Sequence, residues 1–154
     1  MGARSIYDCF GPQKYVGIDL DSRMIKRARQ KGQGLENAKF LQEDASSLAF
    51  DNESFDLVVD FGIIHHIPNW QNALAEVHRT LKTNGEFLFA ELSLETWETG
   101  IGRPRGKILE HPYDQMFRRQ EFVDQLKNLG FETETYEEKP VGFYYFWGKA
   151  SKIR

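Results

Sequence analysis

Two acidic residues each lie at the end of a short apolar run of the sequence. Asp19 lies near the end of the run 15–20, and Asp44 follows the run 38–42. A carboxylate at Asp19 could accept hydrogen bonds from two ribose hydroxyls, and Asp44 could accept one from an adenine amino group. The N–H of Ala45 could then donate to a ring nitrogen. The alternatives are a surface acid or helix cap for Asp19 and a solvated loop acid for Asp44.

A pair of histidines, His65 and His66, lies in the segment DFGIIHHIPN after the apolar run 55–59. Because the imidazole pKa lies near neutrality, either could act as a general base. Adjacent residues of a helix point about 100° apart, so at most one of them is expected to face a site. We take His66 as the first candidate base and His65 as the second, with a packed or capping histidine as the alternative. Phe61 could pack on a bound cofactor, whereas a metal site is a weak interpretation because the segment holds no further His or Cys.

The elements that must position these side chains alternate between strand-like and helix-like apolar periods. Predicted strands cover 15–20, 38–42, 55–59, 86–93, 131–137 and 142–149, and predicted helices cover 22–31, 70–81 and 118–130. This order predicts an α/β fold with a mostly parallel sheet, helices on both faces and a C-terminal antiparallel hairpin. Ligands of such sheets bind at the carboxyl ends of the strands, so Asp19, Asp44 and Phe61 are expected to gather at one edge.

Residues 95–115 form an irregular segment with three glycines and two prolines. A structureless connection of ~20 residues is uncommon in a compact domain and often serves as a lid. We therefore predict a lid or substrate loop here. Its side chains Glu110, His111, Tyr113 and Asp114 could line an acceptor site, or Asp114 could simply stabilise a turn.

Composition narrows the class of protein. The 154 residues suit a single domain over residues 1–154. A net charge of −3 without a long basic run disfavours nucleic-acid binding. Cys9 is the only cysteine, which excludes an internal disulfide and a thiolate zinc cluster and suits a reducing cytoplasm. No apolar run approaches the ~20 residues of a membrane span. We expect a cytoplasmic protein that binds no metal ion, no membrane and no nucleic acid.

Four stretches, in order, resemble the class I S-adenosylmethionine-dependent methyltransferase family. They are YVGIDLDSRMIKRAR, FLQEDASSLAF, FDLVVDFGIIHHIPN and ALAEVHRTLKTNGEFLFAEL. The resemblance implies a Rossmann-like fold, S-adenosyl-L-methionine as cofactor and a small-molecule acceptor. It also implies that Asp19, with Leu20 beside it, holds the cofactor ribose. Asp44 and Ala45 would meet the adenine, and Phe61 would lie near the methionine end.

The family's glycine-rich loop precedes the ribose acid, and its last glycine corresponds to Gly2. Met1-Gly2 resembles the end of a Gly-x-Gly-Met-Gly loop, so Gly2 is a further candidate cofactor residue. We expect the family's first strand and most of the loop upstream of Met1, that is, an N-terminally truncated domain. In the family that strand separates the strands at 15–20 and 55–59. Their exposed edges would favour self-association.

The sequence thus predicts an enzyme that transfers a methyl group from S-adenosylmethionine to a small molecule. A non-catalytic methyltransferase-like binding subunit is the alternative. An NAD-dependent oxidoreductase is a further one, because an acid after a strand also suits the ribose of that cofactor. Family members that methylate nucleic-acid bases carry Asn or Asp, then Pro-Pro and an aromatic residue, after the strand 55–59. Here the sequence from position 60 is DFGI, which disfavours such substrates.

Overall fold

The chain folds into two compact units, Met1–Ala49 and Phe50–Arg154, each with its own sheet. The computed structural model describes residues 3–98, 115–138 and 144–153. Strands and helices alternate in both units. This alternation confirms the α/β class that the apolar periods predict.

The first unit is a two-stranded parallel sheet with two helices. Its elements are α1 (Ala3–Phe10), β1 (Tyr15–Asp19), α2 (Ser22–Lys31) and β2 (Ala38–Gln42). The strands pair in parallel with Asp19 opposite Gln42, so the carboxyl ends of both strands lie at the same edge. Asp21 caps α2, because its carboxylate accepts the N–H of Arg23 at 2.8 Å.

The first unit packs around one aromatic ring, Phe40 of β2. Phe40 is 7% exposed, and Ile25 of α2 is buried as well. A Cβ added to Gly17 would come within 2.9 Å of the Phe40 ring, and one added to Gly32 within 2.5 Å. These two glycines therefore let β1 and the end of α2 close onto the ring.

The second unit is built on a four-stranded mixed sheet. Its elements are β3 (Phe55–Phe61), a short 3-10 turn (Ile64–His66), α3 (Trp70–Thr80), β4 (Leu81–Leu92), α4 (Glu95–Glu98), α5 (Arg119–Asn128), β5 (Phe131–Glu138) and β6 (Tyr145–Lys152). The strand order is β3-β4-β6-β5. β3 and β4 run parallel, whereas β6 is antiparallel to both β4 and β5. The predicted C-terminal hairpin is thereby confirmed.

The core of the second unit lies between one face of this sheet and the helices α3 and α5. Phe87 and Phe89 alternate along β4 and are buried with Phe146 of β6, as the two-residue period of a strand requires. Leu74 of α3 and Phe122 of α5 are both 0% exposed and belong to the same cluster. The Phe89 and Phe122 ring centroids lie 5.1 Å apart in a tilted contact. This packing fixes β4 and, through it, the turn that follows β3.

The starts of two strands differ from the predicted ones. β4 begins at Leu81, five residues before the predicted start at Glu86, and so includes the turn-type pair Asn84-Gly85. Asn84 has a φ of 64°, and the pairing of β3 with β4 shifts register between Phe55 and Leu57, so the strand contains the turn as an irregularity. β6 begins at Tyr145, three residues later than predicted, and residues 139–143 lie outside the described part of the chain.

β1 and β3 belong to different sheets. The predicted lid falls mostly outside the described residues. Its beginning forms α4, and residues 99–114 are not among those that the structure describes. The candidate acceptor residues Glu110, His111, Tyr113 and Asp114 therefore stay predictions.

Candidate functional site

Asp19 ends β1 and is held in a tight turn. Its Oδ1 accepts the N–H of Asp21 at 2.9 Å, and its backbone carbonyl accepts the N–H of Glu43 at 3.3 Å. The side chain is half-buried. Its second oxygen, Oδ2, makes no hydrogen bond to any residue that the structure describes. The carboxylate is thus fixed in orientation and keeps one oxygen that can accept from a ligand hydroxyl.

Asp44 lies two residues beyond β2, at the same edge of the sheet as the end of β1. Its Oδ1 accepts from the Ser46 hydroxyl at 2.7 Å and from the Ser46 N–H at 2.8 Å. These two donors lower the pKa of the Asp44 carboxyl below its ordinary value. The geometry suits a loop acid that organises its own turn, and it also suits an acceptor for an amino group. The adenine role of Asp44 therefore stays a prediction.

The apolar neighbours of these acids differ in exposure. Leu20 follows Asp19 and is 68% exposed, and Met24 in the first turn of α2 is 44% exposed. Ala45 follows Asp44 and is half-buried. Leu20 stays a candidate cofactor residue beside Asp19, the predicted ribose acid.

The turn after β3 carries the other predicted residues. β3 ends at the half-buried Phe61, and Gly62 follows with a φ of 76°, a backbone conformation that favours glycine. The N–H of Ile63 donates to Asp60 Oδ1 at 3.2 Å, and the N–H of His66 donates to the Ile63 carbonyl at 2.9 Å. Phe61 and His66 are thus joined by a short turn with defined hydrogen bonds.

A buried glutamate of β4, Glu91, holds this turn from the neighbouring strand. Its Oε1 accepts the N–H of Ile64 at 2.7 Å, and its Oε2 contacts Nδ1 of His65. Glu91 is 0% exposed and His65 is 6% exposed. Burying a carboxylate is costly unless polar groups meet its oxygens; here the Ile64 N–H meets one oxygen and the His65 ring nitrogen meets the other. Glu91 and the turn therefore stabilise each other.

Asp60 is a third buried ionisable group of this turn. Burial raises the pKa of Asp60 well above its ordinary value, and the neighbouring charge of Glu91 raises it further. Burial also raises the pKa of Glu91, but the donors that face Glu91 oppose this effect. A side-chain hydrogen bond between Asp60 and Glu91 also raises the pKa of Asp60 and lowers that of Glu91. We therefore assign the proton to Asp60 and the negative charge to Glu91.

The two predicted histidines occupy different environments. Burial lowers the pKa of His65 to about 4, so this ring is neutral near pH 7. His66 is exposed, and its ring centroid lies 4.1 Å from that of His65. Partial loss of water around the His66 ring, together with the adjacent His65, lowers the pKa of His66 as well. Because His66 is both neutral and accessible, it suits the role of a base better than the buried His65.

Glu91 was missed by the sequence reasoning. The signal was present in the strand period, since Phe87 and Phe89 point into the core and Glu91 is the next residue of that series. A charge on the apolar side of a strand indicates a buried, partnered group.

Other predicted features fall outside what the structure describes. Gly2 is not among the described residues, so its place in a cofactor loop stays a prediction. Within the described ranges, no three or more His, Cys, Asp or Glu side chains are grouped so that they could hold a metal ion. The helices of the described ranges are all too short or too polar to cross a membrane.

Comparison with known families gives the match that decides the class of protein. Residues 3–89, more than half of the chain, match a methyltransferase domain. The chain belongs to this methyltransferase domain family. The methyltransferase match includes Asp19, Asp44 and His66 and stops two residues before Glu91.

Curated relatives of this methyltransferase domain differ in what they methylate. The phthiotriol/phenolphthiotriol dimycocerosates methyltransferase of Mycobacterium tuberculosis is 31% identical over 133 residues, which cover 84% of this chain and 46% of the relative. The demethylmenaquinone methyltransferase of Staphylococcus epidermidis is 38% identical over 82 residues, or 53% of this chain and 34% of that protein. The chain thus spans less than half the length of these relatives.

A solved structure shows the fold of this methyltransferase domain. Phosphoethanolamine N-methyltransferase 2 of Haemonchus contortus, in complex with phosphomonomethylethanolamine and S-adenosylhomocysteine, matches 99% of this chain with a TM-score of 0.84. The sequence identity is 16%, and the match covers 46% of that protein. This similarity confirms the Rossmann-like α/β fold predicted from the sequence.

Proposed function

We propose that this methyltransferase domain transfers a methyl group from S-adenosyl-L-methionine to a small-molecule acceptor. The main observation that supports this proposal is the orientation of the Asp19 carboxylate at the end of β1, in a chain that belongs to the methyltransferase domain family. The names of the relatives, which concern small molecules, support this reaction class. So does the bound S-adenosylhomocysteine of the H. contortus enzyme.

The predicted residues divide between cofactor binding and chemistry. Asp19 would accept hydrogen bonds from the ribose through its unoccupied Oδ2, with Leu20 beside it. Asp44 would accept from the adenine amino group, and the N–H of Ala45 would donate to the ring. Phe61 would provide apolar contact near the methionine end. Gly2 would belong to the loop that holds the methionine carboxylate and amine.

Bound S-adenosylmethionine supplies an electrophilic methyl group on a good leaving group. The protein's part is then to align the acceptor, exclude water and remove a proton where the acceptor has one to lose. His66 is the candidate for that last role, because it is accessible and its lowered pKa keeps the ring neutral near pH 7. His65 is the second candidate.

Isothermal titration calorimetry of the chain with S-adenosylmethionine, S-adenosylhomocysteine and NAD tests the proposal. We expect saturable binding of the two sulfur compounds and none of NAD. Binding of NAD instead would favour the oxidoreductase. Binding of S-adenosylmethionine with no transfer to a panel of hydroxyl, amine and carbon acceptors would favour the non-catalytic subunit.

We also propose a cytoplasmic location and no membrane or nucleic-acid partner. The net charge of −3 and the single cysteine support this setting. Self-association through strand edges is a further proposal, which sedimentation velocity would test over a range of protein concentrations.

A further inference from the structure

The turn that carries His66 depends on a group from another strand. The 3-10 turn spans only Ile64–His66, and its own backbone hydrogen bonds are few. Glu91 of β4 adds two contacts to it, one to the Ile64 N–H and one to His65 Nδ1. Because β4 is fixed by the buried Phe87 and Phe89, Glu91 gives the turn a rigid attachment point.

The Glu91 carboxylate also determines the protonation of the His65 ring. An ionised carboxylate can only accept hydrogen bonds, so the Nδ1 that it contacts must carry the proton. In a neutral ring, Nε2 is then the unprotonated nitrogen. The tautomer of His65 is therefore set by Glu91, and the His66 ring lies against this oriented ring at a centroid distance of 4.1 Å.

We propose that Glu91 is a positioning residue for the candidate base His66: it orients the turn and the His65 ring on which His66 rests. The inference rests on the proposed function only for the role of His66 as a base. The arrangement itself, Glu91 to His65 to His66, is independent of which acceptor is methylated.

Glu91→Gln separates positioning from mere packing. The amide has nearly the same volume, and its oxygen can still accept the Ile64 N–H. Its NH2 group, however, donates where the carboxylate accepted, so His65 must present an unprotonated Nδ1. Thr80→Val is the matched control, because Thr80 is also a 0% exposed polar residue of the second unit and donates to the Glu76 carbonyl, away from the turn.

The first measurement is the tautomer of His65 by long-range ¹H–¹⁵N NMR at neutral pH, with the imidazole signals of His66 recorded in the same spectra. We expect wild type and Thr80→Val to carry the proton on Nδ1 and Glu91→Gln to carry it on Nε2, with the His66 signals shifted in Glu91→Gln alone. A wild-type His65 protonated on Nε2 would overturn the proposal and requires no variant to fold. Unchanged His66 signals in Glu91→Gln would overturn it as well.

The second measurement is the affinity for S-adenosylhomocysteine, determined by calorimetry on the same three proteins. We expect Glu91→Gln to bind within about 3-fold of wild type, while its methyl-transfer kcat falls at least about 10-fold, the loss expected when a catalytic group is misplaced. A Glu91→Gln kcat equal to that of wild type would overturn the positioning role. Absence of S-adenosylhomocysteine binding in wild type would count against the proposed function alone, because the NMR result stands without it.

Discussion

Asp19→Asn perturbs the proposed ribose contact while it preserves the local turn. In the wild type, Oδ1 accepts the Asp21 N–H at 2.9 Å, and an asparagine side-chain oxygen can make the same hydrogen bond. The second oxygen becomes an NH2 group, which cannot accept from a ribose hydroxyl. The variant therefore removes the proposed ligand contact and the negative charge, but not the turn.

The expected loss follows from the number of oxygens available. With Oδ1 already engaged, Asp19 offers a ligand one oxygen and its charge. A hydrogen bond to a charged acceptor contributes about 1.5–3 kcal/mol, so we expect Asp19→Asn to weaken S-adenosylmethionine binding by roughly 10- to 150-fold. Asp19→Ala should lose at least as much, because it also leaves the Asp21 N–H without this acceptor.

Asp21→Ala is the control for this experiment. It removes a negative charge two residues away and the N-cap of α2, which should lower the stability of the fold slightly. Its affinity, measured by the same calorimetric titration, should stay close to that of wild type. The ribose assignment fails if Asp19→Asn binds as tightly as wild type. It also fails if Asp21→Ala weakens binding as much as Asp19→Asn does.

Three further predictions concern the second unit. If the acceptor loses a proton, His66→Ala should lower the methyl-transfer turnover about 100-fold in steady-state kinetics, with little change in cofactor affinity. An equal fall in His65→Ala would indicate a packing role for the pair. Phe122→Ala should lower the free energy of unfolding in urea by about 3–5 kcal/mol, because the ring is 0% exposed; a loss below about 1 kcal/mol would contradict this packing. In Gly148→Ala the added Cβ would lie 2.2 Å from the Glu134 carbonyl oxygen. The free energy of unfolding in urea should therefore fall by about 1–3 kcal/mol relative to wild type. Unchanged stability would contradict the β5–β6 pairing.

The sequence predicts best what depends on local period and local hydrogen bonding. The stripe of Trp70, Leu74 and Val77 predicts α3, and all three residues are buried. Asp21 is of a residue type that favours the N-cap, and it caps α2, because a cap needs only its own helix. Asp19 and Asp44 lie at the ends of adjacent parallel strands, as the α/β interpretation requires.

What the sequence does not predict depends on pairing across the fold. Asn84-Gly85 has the residues of a turn, but the pairing of β4 with β3 continues on both sides of it. Because the pairing extends to the residues before this turn, β4 starts at the fully buried Leu81. The use of one Asp44 oxygen by Ser46 is likewise visible only once the loop has its conformation.

Glu91 marks a position where the demands of stability and of the site differ. A buried ionised group is often no better for stability than an apolar side chain of similar volume, because its desolvation offsets its hydrogen bonds. A leucine at this position would extend the apolar series of Phe87 and Phe89 along β4. It would also leave the Ile64 N–H without its acceptor and the His65 ring without a fixed tautomer. The glutamate is therefore better explained by its hydrogen bonds to the turn that carries His66 than by any contribution to the stability of the core.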